Sequence, residues 1–180
     1  MIAPRSVIRP LLGLALAALP AEAGAQEEQS IYLDGELGYG FLSEVEDERI
    51  HGGLLGVDFA YATSPFWRWR AGYALARHDS DGKAFTLHQP SIGLRYALDV
   101  FTYVPWIELS PTWLIADSDD GYSGPSVAVA LGLDWLLSPS LTAGVAIRAH
   151  TLIDGGRFPG YTTIGLRLGR RWTLGDPFAP

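Results

Sequence analysis

His78, Asp79 and Ser80 place an imidazole and a hydroxyl two residues apart, and a base within reach of a hydroxyl can activate it for acyl transfer. In an extended segment residues 78 and 80 share one face. The strand phase derived below turns that face inward, so no catalytic residue is assigned. Asp117, Asp119, Asp120 and Gly121 match part of a calcium-loop pattern but lack its third ligand position and distal glutamate. No metal site and no cofactor are expected. Glu44, Glu46, Asp47 and Glu48, with Asp79, Asp81 and the aspartates of residues 117–120, read as solvated loops. The larger store of charge is Asp34, Glu36, Asp58, Glu108 and Asp134, set against Arg68, Arg70, Arg95, Arg148, Arg167 and Arg171. What these can do depends on the elements that carry them.

The clearest element is residues 161–174. Ile164, Leu166, Leu168, Trp172 and Leu174 fall on one face, and Thr163, Gly165, Arg167, Gly169 and Arg171 on the other. A period of two is a strand. The same alternation runs from Ile31 to Phe41, over residues 51–62 and 67–78, and again through 103–115, 126–135 and 141–151. In each case the charged set takes the face opposite the leucines, valines and tryptophans. The fourth strand is clear only at residues 91–96. Upstream of Pro90 the phase is expected to slip through a bulge, leaving Phe85 and Leu87 unassigned. Pro105 and Pro111 each remove a ladder donor and argue against a central position for the fifth strand.

Arg5 and Arg9 precede a short apolar run at residues 11–19 and small residues at Ala23, Gly24 and Ala25. This pattern predicts a signal peptide over residues 1–25, with cleavage after Ala23 as the alternative. Residues 26–180 then form one domain. The chain contains no cysteine, which excludes disulfides, and its net charge of −7 disfavours a nucleic-acid partner.

Eight strands with wet inner faces and apolar outer faces predict an all-β fold: an antiparallel, up-and-down transmembrane barrel. In lipid its last strand must pair with its first, because an open edge cannot be solvated there. The connections alternate in kind: short or apolar after strands two, four and six, charged after the others. Both termini then lie on the short-turn side. Phe66, Trp67, Trp69, Tyr96, Phe101, Tyr103, Trp135 and Trp172 fall near that side as an interfacial girdle, with Tyr39, Phe41, Trp113 and Tyr161 near the loop ends. A lipid-facing arginine near the midplane costs roughly 2–4 kcal/mol, so the phase that buries the arginines is strongly specified. Arg77 and Arg170 break that phase, but both lie near strand ends, where they can snorkel. A barrel of this size is just wide enough for side chains to fill it. The charged set therefore predicts an ion-paired plug, with a narrow conduit for small or apolar solutes as the alternative.

The whole mature chain resembles the small outer-membrane β-barrels of Gram-negative bacteria and is similar to the membrane domain of outer-membrane protein A. Its most specific segment, Arg167-x-Gly169-x-x-Trp172-x-Leu174, looks like the C-terminal signal read by the barrel-assembly machinery, although residues 175–180 follow it. The resemblance implies an outer-membrane location, partners among membrane lipids and lipopolysaccharide, a monomeric state and a role in envelope integrity or surface interaction. It also admits an enzyme of lipid A, since the His78 and Ser80 spacing is similar to that of the lipid A deacylases. The acidic loops would bridge lipopolysaccharide phosphates weakly through divalent cations.

Overall fold

Every strand pairs with the strand before and after it in the chain, and the first with the last. A computed structural model describes residues 29–45, 48–80, 83–99, 102–117, 123–153 and 160–174. The signal-peptide region and Asp119–Gly121 of the calcium-like segment lie outside the described residues, as does the side chain of Ser80. The strands are β1 (Ser30–Val45), β2 (Glu48–Ala62), β3 (Trp67–Ser80), β4 (Lys83–Ala97), β5 (Tyr103–Asp117), β6 (Ser123–Ser138), β7 (Leu141–Leu152) and β8 (Tyr161–Thr173). They form a closed barrel in chain order. All pairs are antiparallel, and the β1–β8 seam runs from Ser30 opposite Thr173 to Leu42 opposite Tyr161.

Alternation decides which way each side chain points. Leu37, Leu55, Ile92, Leu166 and Leu168 lie on the outer surface, with Leu166 66% exposed. The charged set lies inside, with Arg95 and Glu108 each 1% exposed. A soluble protein rarely exposes so wide an apolar surface; a lipid-facing wall requires one.

The expected bulge upstream of Pro90 is absent. Pairing of β3 with β4 is unbroken from Ser80 opposite Lys83 to Trp67 opposite Tyr96. Leu87 and Gln89 continue the inward phase of Gly93 and Arg95. The polarity, not the register, inverts here: the upper lumen is apolar, and Thr86 and His88 face out. β5 is also flanked on both sides, because a closed barrel has no edge on which to place its prolines. Pro105 and Pro111 face outward opposite Leu133 and Val127 of β6. On the other side, the β4–β5 pairs are interrupted between His88 and Ser91 and again between Ser91 and Leu94.

The strands hold 12 to 16 residues, whereas a bilayer core needs about 9–11. β1 runs to Val45 and β2 begins at Glu48, so most of the expected loop at residues 43–49 is strand.

Candidate functional site: a lumen closed in three layers

The middle layer is a chain of ion pairs around the barrel axis. Arg95 donates from Nε and Nη2 to Glu108 Oε2 at 3.0 and 2.8 Å. Arg70 bridges Glu108 Oε1, at 3.1 Å, to Asp58, and donates to Ser91 Oγ at 3.0 Å. Arg167 joins Asp34 at 2.6 Å to Asp134 at 3.1 Å, and Arg95 lies 3.8 Å from Asp34. Arg148 lies 3.5 Å from Glu36. Residues of all eight strands thus meet, and buried charge of both signs is matched as its desolvation requires. The Trp106 ring lies under the guanidinium groups of Arg95 and Arg167, 4.1 and 4.9 Å from its centroid.

Glycines make room for this layer. Asp34, Glu36, Asp58 and Asp134 lie opposite Gly169, Gly56, Gly72 and Gly144 on neighbouring strands. A Cβ at Gly144 would meet Asp134, one at Gly72 would meet Asp58 and Arg70, and one at Gly132 would strike the Trp106 ring. The alternation placed these glycines inside, but nothing in their spacing shows which side chain each one accommodates.

The lower layer closes the short-turn mouth. Arg68 and Arg171 converge on Asp99 at 2.6 and 3.4 Å. Arg171 Nε also donates to Ser30 Oγ at 3.2 Å, and Tyr32 lies beneath Arg68, 4.3 Å from its ring centroid. Asp99 escaped the strand-based reading because it belongs to the turn after β4, where alternation assigns no side. Its one sequence signal is being the lone charged residue of an apolar turn.

The upper layer is apolar. Leu42, Leu54, Ala76, Leu87, Leu114 and Tyr161 form a buried cluster, with Phe85 packed against it. His78 is wholly buried, stacked on Phe85 at 5.2 Å and edge-on to Tyr161 at 5.6 Å. Gln89 donates to the Tyr161 hydroxyl at 3.0 Å, and His150 packs on the same ring at 5.2 Å. Tyr161, expected in the outer girdle, thus points into the barrel, since it continues the inward phase of Thr163 and Gly165.

The remaining aromatics among the described residues face out. Trp69, Tyr103, Trp135 and Trp172 are exposed, and Trp67 and Tyr96 are half-buried against each other, with ring centroids 5.0 Å apart. Phe66 stacks on Tyr96 at 5.9 Å and Tyr103 on Trp135 at 6.2 Å. Tyr39, Phe41 and Trp113 are exposed near the loop ends; Phe101 lies outside the described residues. Of the expected assembly signal, Arg167 and Gly169 face the lumen, while Trp172 and Leu174 are exposed.

No family model and no curated protein matches this sequence. Solved structures do. Neisserial surface protein A is 14% identical, with a TM-score of 0.58, over 82% of this chain and 97% of that one. This is the fold of the small outer-membrane barrels. The N-terminal barrel domain of Pseudomonas aeruginosa OprF matches with the same identity and TM-score over 82% of this chain and all of its own. The outer membrane enzyme PagL matches at 12% identity and a TM-score of 0.50, over 77% of this chain and 97% of its own. At such identities the shared property is the fold, which hosts more than one kind of function.

Proposed function

We propose that the chain is an integral, monomeric outer-membrane protein, delivered by a signal peptide at residues 1–25, that acts as a plugged barrel without enzymatic activity. Its role on this reading is in envelope integrity or surface interaction, with membrane lipids and lipopolysaccharide as its surroundings. Arg167, Gly169, Trp172 and Leu174 are then its signal to the barrel-assembly machinery. The observation that carries the reading is the lumen, filled by ion pairs in the middle, the Asp99 latch below and the apolar cluster above. The exposed leucine and valine belt supports a lipid environment.

Planar-bilayer recording of refolded protein tests the plug. Absence of single-channel steps is expected, and reproducible steps would favour the narrow conduit instead. The membrane assignment itself requires a heat-modifiable gel shift and β-type circular dichroism in detergent. On the enzyme question, the wholly buried imidazole of His78 speaks against its use on a lipid arriving from outside. Unchanged lipid A mass spectra in expressing cells are the expected result, and altered spectra lost on Ser80→Ala would revive that chemistry.

A further inference from the structure

One sector of the outer wall is not apolar. On β3 and β4, Tyr73, Arg77, Thr86 and His88 all point outward, whereas β6 to β8 present Val129, Ile147, Ala149 and Ile164, with only the small hydroxyls of Thr151 and Thr162 nearer the loops. Arg77 lies opposite Gly53 on one side and Thr86 on the other. A Cβ at Gly53 would meet nothing within 4 Å, so the wall is open beside the arginine. Arg77 makes no ion pair among the described residues, although Asp79 and Asp117 face outward nearby. The Tyr73 hydroxyl lies 2.6 Å from His88 Nδ1. With the phenol as donor to Nδ1, the ring proton sits on Nε2 and the imidazole has an N–H to offer a ligand. His88 lies opposite Leu75, one outward position below Arg77. Such diagonal neighbours sit about 7–8 Å apart, within reach of long side chains.

We infer that this sector, centred on Arg77 and His88, binds the phosphorylated headgroup of an outer-leaflet lipid. The inference rests on the outer-membrane reading above. Planar guanidinium donors suit phosphate oxygens, and the imidazole adds a second donor from below. Asp79 lies on the loop side of Arg77 and Asp117 lies opposite Thr86 on β5, so charge repulsion places the phosphate below Arg77, on the β3 side of His88. Acyl chains descending from there would lie over Tyr73, Leu75 and Ile92, which complete an amphiphilic track. Arg170, the other arginine that faces outward among the described residues, is held over Trp172 at 5.4 Å near the opposite rim and serves as a control.

The test uses full-length mature protein refolded in detergent, with folding verified by gel shift, and titrates bisphosphorylated lipid A, its dephosphorylated form and free inorganic phosphate by native mass spectrometry. Bisphosphorylated lipid A should be retained about tenfold better than the dephosphorylated form. R77Q and H88Q should each remove most of that preference, and R170Q none. Equal retention of both lipids by folded wild-type protein, or an unaltered preference in folded R77Q, overturns the headgroup site and leaves the barrel reading standing. Inorganic phosphate binding as well as the lipid overturns the lipid assignment. A wild-type chain with no gel shift overturns both.

Discussion

Asp34 and Gly169 face one another across the seam between the first and last strands, and the carboxylate of Asp34 fills the space a side chain at 169 would need. That carboxylate cannot readily move. Arg167 holds it at 2.6 Å, and Arg95 lies 3.8 Å away. The glycine within the C-terminal motif thus has a task inside the barrel, apart from any task in recognition.

Gly169→Ala should therefore destabilise the closed barrel, because the added methyl displaces a pinned carboxylate. Overpacking of this kind costs about 1–3 kcal/mol. Urea titration of the folded fraction, read by gel shift, measures it. Gly35→Ala is the matched control: it lies on the outer face of the same seam, where a Cβ meets only the Leu168 carbonyl oxygen at 3.9 Å. Equal stability of the two variants would remove the steric role of Gly169.

Glu108 accepts from both Arg95 and Arg70, so its loss strands two buried cations. Glu108→Ala should cost about 3–5 kcal/mol, as when one partner of a buried pair is removed. Replacing Arg95 and Glu108 together by methionine should cost less than Glu108→Ala, since it removes one of those cations with its acceptor. The same unfolding titration checks both, and a costlier double variant would show that the pair contributes beyond mutual neutralisation.

The upper layer makes a different prediction. His150 is buried, lies beside Arg148 in the strand, packs on Tyr161 at 5.2 Å and stands opposite Ala128. His150→Phe keeps the ring contact while removing two polar atoms, so stability should hold within about 1 kcal/mol or rise. His150→Lys should be destabilising by several times that amount, because a buried ammonium there faces the cations of Arg148 and Arg70 and gains no matched partner. A large loss from His150→Phe would show that the imidazole makes a specific polar contact.

The barrel was legible because its two faces differ so strongly. Where Leu166 and Arg167, or Ile107 and Glu108, alternate, period two assigns both residues at once. The same rule fails at β4, where Phe85 and Leu87 point inward and Thr86 and His88 outward. There alternation survives, but its polarity reverses, since the lumen is apolar near the loops and the outer wall there carries Thr86 and His88. Tyr161 misleads for the same reason: an aromatic near a strand end suits an interface or an apolar plug equally well. Which charges pair is a matter of tilt and stagger, which no one strand records, and Asp99 lies in a turn that has no phase to read.

The outward and inward assignments can be separated spectroscopically through the tryptophans. Trp106 is 4% exposed within the lumen, between Arg95 and Arg167; Trp135 and Trp172 are 48% and 40% exposed on the outer wall. Single-tryptophan variants retaining one of these residues, the others replaced by phenylalanine, can be refolded into vesicles containing acyl-brominated lipid. Quenching by the bromines needs near contact, so the Trp135 and Trp172 variants should lose most of their emission and the Trp106 variant little. Placing bromine nearer the headgroup should favour quenching of Trp172, which lies close to the end of β8. Strong quenching of Trp106 with dark-protected Trp135 would mean that the arginines face lipid, an arrangement costing roughly 2–4 kcal/mol for each one near the midplane, and the sealed, ion-paired lumen would have to be abandoned.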